Sequence, residues 1–209
     1  MTERTAPGQI VILNGAPCSG KSSIAAAIQD TFDGVWINLG VDHSMAMTPA
    51  HYQPGIGLRP GGERPDLEAM VAVLYRALYA SIAAHSRLGL NVAVDVGHHD
   101  DYSTPLGILP ACARRLRGLP VLFVGVLCPL EVIMERRRAR GWNTDWTAGD
   151  PIPPPVLRWQ EAVHSPGVYD LTVDTAQHSP AGCAALIRHR LIDGAFGTAL
   201  AEIARFAPL

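Results

Sequence analysis

The chain is short of charge. Of its 209 residues only 17% are Asp, Glu, Lys or Arg, and the formal net charge is −2, against about 25% charged residues in an average globular domain. There is no excess of positive charge to build a basic face, which excludes nucleic acid or an anionic membrane surface as the main partner. Apolar residues make up 48% of the chain, so the low charge is not a sign of disorder. No apolar run approaches the ~20 residues of a membrane span. Residues 1–8 are polar and lack the apolar stretch of a signal peptide. The four cysteines, Cys18, Cys112, Cys128 and Cys183, are scattered without a CxxC pair, which argues against a zinc site and against a disulfide framework. These absences lead to the expectation of a cytoplasmic protein. There is no internal repeat and no linker, so the expected organisation is a tail over 1–8 and one domain over 9–209.

What is present is an alternation of short apolar runs and helical patterns. Gln9–Asn14, Val35–Leu39, Asn91–Asp95, Pro120–Val126 and Leu171–Val173 read as strands, the apolar ones being suited to burial on both faces. Between them, helical spacing covers Ser22 to about Thr31, Asp66 to about Leu88, about Leu106–Leu116, Pro129–Arg140, Pro155–His164 and Ala181–Ile192, with a small terminal helix over Gly197–Phe206. Gly40–Pro65 is rich in Gly and Pro and reads as an irregular loop. Residues 141–155, with Trp142 and Trp146, read as part of a mobile flap that spans about 136–155. Strands alternating with helices predict an α/β fold, a parallel sheet of about five strands covered by helices on both faces, and the segment Gly15–Ser22 after the first strand, which matches G-x-x-x-x-G-K-[ST], makes it one of the P-loop NTPase type.

The sharpest signal is Gly15-Ala16-Pro17-Cys18-Ser19-Gly20-Lys21-Ser22, which matches G-x-x-x-x-G-K-[ST] between a predicted strand and a predicted helix. Glycines let the backbone close around an anion at a helix N-terminus. Lys21 supplies a charge to the β- and γ-phosphates and the Ser22 hydroxyl is set to ligate Mg²⁺; the loop and Ser23 together form the expected ATP site. Cys18 reads as a spacer, because no base adjoins it. No N-K-x-D guanine signature occurs, which argues against a switch GTPase, and motors usually need larger or repeated domains. A compact kinase remains, and it needs cationic groups on a flap and an acceptor site over the loop.

Arg136 and Arg140 lie four apart on one face of a predicted helix and could clamp the transferring phosphoryl group; the bland alternative is a basic helix end that complements the dipole. Arg137 and Arg138 read as surface residues. Asp42 follows the second strand, where a parallel sheet binds ligands. It could accept or orient a hydroxyl, or simply cap a helix. Asp95 ends an apolar strand in the pattern of a Mg²⁺-holding carboxylate, and could instead touch the acceptor. His98 and His99 read as ordinary loop histidines, since adjacent residues point apart and no third ligand has suitable spacing. Trp142 and Trp146 could cover a planar ligand or pack a hinge.

In order along the chain, ILNGAPCSGKS, Leu39-Gly40-Val41-Asp42, the strand-ending Asp95, Arg136 with Ala139-Arg140-Gly141, Gln160 with Val163-His164, and Tyr169 to Thr175 resemble the chloramphenicol phosphotransferase family over most of Gln9–Ile192. The resemblance implies a kinase that phosphorylates a hydroxyl of an antibiotic. It also implies Asp42 as catalytic base, Lys21 and Ser22 as nucleotide and Mg²⁺ residues, and Arg136 as a phosphate-contacting arginine. The segment Tyr52–Pro65, the prolines of Pro151–Pro155 and the extension Gly194–Leu209 depart from the family pattern. The expected partner is a small hydroxyl-bearing acceptor: chloramphenicol, another hydroxylated natural product, or an ordinary metabolite. A nucleotide-binding regulatory module without turnover is the rival of another class, and homo-oligomerisation stays open.

Overall fold

The computed structural model describes residues 6–165, 167–194 and 197–206. Five parallel strands, β1 (Ile10–Asn14), β2 (Trp36–Asn38), β3 (Asn91–Val96), β4 (Val121–Leu127) and β5 (Leu171–Asp174), form one sheet in the order β2-β3-β1-β4-β5. The α/β expectation therefore holds, with five strands. β1 sits between β3 and β4 and is wholly buried. Its period-2 pattern divides it cleanly: Ile10 and Ile12 face the core under α3 (Pro65–Arg87), α4 (Ile108–Arg115) and α8 (Ala199–Ile203), whereas Val11 and Leu13 face α1 (Lys21–Thr31) and α7 (Pro180–Ile192). Helices thus cover both faces, as a parallel sheet requires.

The long helix α3 shows why the sequence was readable. Pro65 opens it, Asp66 and Glu68 stand in its first turn and His85 and Arg87 in its last, each sign matching the helix dipole. Its most apolar window has a mean hydropathy of 1.4, and the buried part of it follows one stripe, with Leu67, Val71, Leu78 and Ile82 in the core while Val73 stays exposed. Burying such side chains contributes about 1.5–3 kcal/mol each.

Three boundaries differ from the sequence expectation. Gly40–Pro65 is not irregular throughout: it carries the short helix α2 (Val41–Ala46) and two 3-10 turns, Ala50–Tyr52 and Gly55–Gly57. Gly and Pro punctuation excludes long helices there, yet it leaves room for single turns. Within the expected tail, Gly8 is buried, donates to the Ser86 carbonyl at 2.8 Å and accepts from the Ser86 hydroxyl at 2.6 Å; residues 1–5 lie outside the described residues. The terminal helix is only α8, whose first amides are held by Asp170: Oδ1 accepts from Thr198 N at 2.7 Å and Ala199 N at 2.8 Å, while Oδ2 accepts from Phe123 N. This clamp brings Leu200 and Ile203 into the main core. Finally α5 (Leu130–Ala139) and α6 (Pro154–His164) flank the flap and pack over the loop after β1, with Trp146 buried among Ile133, Met134 and Val156.

Candidate active site

The register of β1 with β3 pairs Leu13 with Asp95 and Asn14 with Val96, so the loop after β1 and the carboxylate ending β3 emerge at the same level. This is the carboxyl edge of the sheet, at the point where the chain crosses from one side of β1 to the other, the usual ligand crevice of such sheets. The loop turns by left-handed backbone at Cys18 (φ 65°) and Gly20 (φ 104°), and Gly15 N donates to Val96 O at 3.2 Å. Within the loop the Ser19 hydroxyl is buried and has no partner among the described residues. A buried polar atom normally finds one, and a phosphate oxygen at this helix N-terminus would supply it.

Lys21, the only lysine of the chain, starts α1 and donates to the Ala16 carbonyl at 2.8 Å. Desolvation by burial pulls its pKa from 10.5 to about 8, against the opposing pull of Asp95 and then Asp42. The residue is thus held near anionic groups yet is short of countercharge, the condition of a lysine waiting for phosphate. Ser22 donates to Asp95 Oδ2 at 2.7 Å, and Asp95 is buried. Gly40 makes room for that carboxylate, because a Cβ there would stand 1.7 Å from Asp95 Oδ1. A hydroxyl and a carboxylate side by side form a hard-oxygen pair that fits Mg²⁺. Ser22 and Asp95 would hold the ion, which when bound neutralises charge on the nucleotide's phosphate oxygens.

A cleft of about 370 Å³ opens over the loop, and Lys21, Ser22, Asp42 and Asp95 all line it. Asp42 stands in the first turn of α2, whose N-cap is Gly40, so the capping alternative does not apply. Its carboxylate is exposed and has no hydrogen-bond or ion-pair partner among the described residues. The wall on this side is apolar, with Val41, Met45, Ile56 and Trp159. On the flap side Arg140 reaches within 3.9 Å of Cys18 Sγ, and Arg137 bonds Asn143 Oδ1 at 2.8 Å with its guanidinium 5.2 Å from the Trp142 ring. Both arginines and Trp142 line the cleft.

The flap arginines take different places. Arg137 is half-buried and belongs to the cleft, while Arg138 is exposed as expected. Arg136, expected to meet phosphate, does not line the cleft. Its Nη1 donates to Thr175 Oγ1 at 2.9 Å and to Ser19 O at 3.2 Å, and its Nη2 to Thr175 O at 2.9 Å; the Thr175 hydroxyl in turn bonds Ser19 O at 2.7 Å. Arg136 thereby ties the outer side of the phosphate loop to the end of β5. The tryptophans also part: Trp146 packs the flap's root and Trp142 walls the cleft. His98 is core-like, bonded to Tyr79 at 2.8 Å and stacked on Tyr75. Sequence inspection missed Thr175 and Asn14. The buried Asn14 binds Val163 O, Tyr169 OH and His98 N, so it ties α6 and the loop after β3 to β1. A polar residue closing an otherwise apolar strand was the available signal.

The sequence model of one family, described as chloramphenicol phosphotransferase-like protein, matches residues 8–192. The chain belongs to that family. A Mycobacterium tuberculosis relative, whose name reads "Putative O-phosphotransferase", is 26% identical over 183 residues, 80% of this chain and 75% of its own length. Among solved structures, the M. tuberculosis APS kinase is 21% identical with a TM-score of 0.56, covering 89% of this chain and 98% of its own. Shikimate kinase from Acinetobacter baumannii is 13% identical with a TM-score of 0.57, covering 93% and 97%. The solved structures share this chain's α/β fold. Membership of the chloramphenicol phosphotransferase-like family makes the chain a phosphotransferase.

Proposed function

We propose that this phosphotransferase moves the γ-phosphate of ATP to a hydroxyl of a small molecule, with Mg²⁺ as the bound ion, and that the acceptor is an antibiotic such as chloramphenicol or another hydroxylated natural product. One observation carries the proposal: the partnerless Asp42 carboxylate shares a cleft with Lys21, Ser22 and Asp95. Phosphoryl transfer asks the protein mainly to position the reactants and neutralise charge. Lys21 and the loop amides serve the phosphates. Asp42 orients the acceptor hydroxyl and takes its proton as the new P–O bond forms, while the bond from the γ-phosphorus to the ADP oxygen breaks. Arg140 and Arg137 close from the flap over the transferring group, where charge is costly to leave unmet. Arg136 acts through the loop that it holds.

The apolar wall of Val41, Met45, Ile56 and Trp159 favours an acceptor with an apolar body over a second nucleotide, which would call for cations on that side. The family's description supports an antibiotic acceptor. The test is ADP release from the purified full chain with ATP, Mg²⁺ and chloramphenicol or a set of hydroxylated natural products, with the product identified by its added phosphate mass. Turnover confined to primary sugars or organic acids would overturn the antibiotic assignment. Nucleotide binding without transfer to any hydroxyl, under conditions where the chain is folded, would overturn the enzyme mechanism.

A further inference from the structure

A second cavity, of about 930 Å³, lies across α6 from the cleft. Arg158, Glu161, Ala162 and Ser165, spaced i, i+3, i+4 and i+7, put one face of α6 along this cavity, while Trp159 lines the cleft. The far wall comes from α4 and from Ile203 and Phe206. Those last two residues lie beyond residue 192, where the family match ends, so the cavity is closed by a part of this chain outside the family core.

Its chemistry is specific. The walls from α4 and α8 are apolar, and the volume is that of a small-molecule pocket. Three carboxylates, Asp100, Asp101 and Glu161, meet one guanidinium, Arg158. Arg158 is paired with Asp101 at 3.1 Å, and Asp100 accepts from the amides of Leu106 and Gly107. Glu161 has no partner among the described residues. His99 also lines the cavity and is 5% exposed. Its Nε2 lies 2.9 Å from the Leu58 carbonyl, which can only accept, so Nε2 carries the proton. Burial holds the ring's pKa below its ordinary value, and the neutral ring leaves a lone pair on Nδ1, which has no partner among the described residues. Nδ1 is itself closed off by the packing around it, so the polar character of the cavity comes from its carboxylates, of which Asp100 and Glu161 are exposed; apolar walls beside this surplus negative charge favour a ligand that is cationic at one end and apolar along its body.

We propose that this cavity is a second ligand site, separate from the phosphoryl-transfer cleft, and that it takes an organic ammonium ion with an apolar body. The proposal stands whatever the acceptor of the enzyme. It is tested on the full chain by calorimetry with 4-phenylbutylamine, and with 4-phenylbutanol and 4-phenylbutanoate as neutral and anionic counterparts, all with saturating AMP-PNP and Mg²⁺. The amine is expected to bind, more tightly than the alcohol, and the carboxylate not at all. Glu161→Lys should weaken amine binding several-fold. Ala162→Trp should fill the cavity and abolish it, with AMP-PNP affinity and melting temperature kept; Ser165→Trp repeats the filling from an exposed position if Ala162→Trp does not fold. No heat with the amine, equal binding of all three compounds, or undiminished binding in the filled variant would each overturn the proposal.

Discussion

Lys21 should give nucleotide binding a characteristic pH dependence. In the free protein its pKa is lowered from 10.5 to about 8, chiefly by desolvation. Near pH 7 about nine-tenths of the molecules then carry the charged ammonium, and near pH 9 about one-tenth do. A polyphosphate prefers the charged form and raises its pKa on binding. Affinity should therefore fall about tenfold between about pH 7 and about pH 9, or ~1.4 kcal/mol, and binding near pH 9 should take up close to one proton. Stability has the opposite course. Between about 8 and 10.5 the unfolded chain binds more protons than the folded one, so the free protein gains stability as pH rises through that window and carries the burial penalty below it. The assay is titration of AMP-PNP with saturating Mg²⁺, which keeps the nucleotide's own phosphates ionised, in buffers of different protonation enthalpy. Because Lys21 is the only lysine, reductive ¹³C-methylation adds a direct readout: one side-chain signal, whose midpoint should lie near 8 without nucleotide and well above it with nucleotide. A midpoint near 10.5 in the free protein, or an affinity flat across this range, would refute the reasoning.

Asp42→Asn should reduce turnover by about 10²–10⁴-fold, the scale of a general base, with unchanged melting temperature because the carboxylate has no structural partner among the described residues; near-normal transfer would remove it from the mechanism. Arg136→Ala should weaken nucleotide binding and lower stability by about 1–3 kcal/mol, since its charged hydrogen bonds brace the loop, whereas Arg140→Ala should act mainly on kcat, on the order of 10³-fold if it meets transition-state charge; steady-state kinetics with melting curves separate the two. Gly40→Ala drives a methyl group into Asp95 Oδ1, so the Mg²⁺ concentration needed for half-maximal activity should rise steeply, and an unchanged Mg²⁺ requirement would show that Asp95 holds no ion.

The parts of this protein that could be read from its sequence are those fixed by neighbours in the chain. The loop Gly15–Ser22 is a local object, and its glycines, lysine and serine keep their spacing in any surroundings. The strand β1 announced itself because a strand buried on both faces is apolar along nearly its whole length, here Ile10 to Leu13, and α3 because its stripe repeats for 23 residues. The second cavity could not be read, since it needs α4, α6 and α8 to meet around the loop after β3, and spacing within one helix does not say what faces it.

Arg136 shows the same limit at a single residue. Helical spacing correctly puts Arg136 and Arg140 on one side of α5, and the motif before them invites phosphate as their common partner. What the spacing omits is β5. Pairing of β4 with β5 sets Leu127 beside Asp174, and the next residue, Thr175, donates its amide to Leu127 O and its hydroxyl to Ser19 O. That places a hydroxyl and a carbonyl where the Arg136 guanidinium emerges from α5, and the half-buried cation is satisfied there before any nucleotide arrives. Of the two, it is Arg140, at the end of the helix where Gly141 turns the chain at φ 79°, that is left with an exposed guanidinium beside the loop. Two arginines of the same type and face thus divide into a brace and a cleft residue, by a contact 39 residues away in sequence.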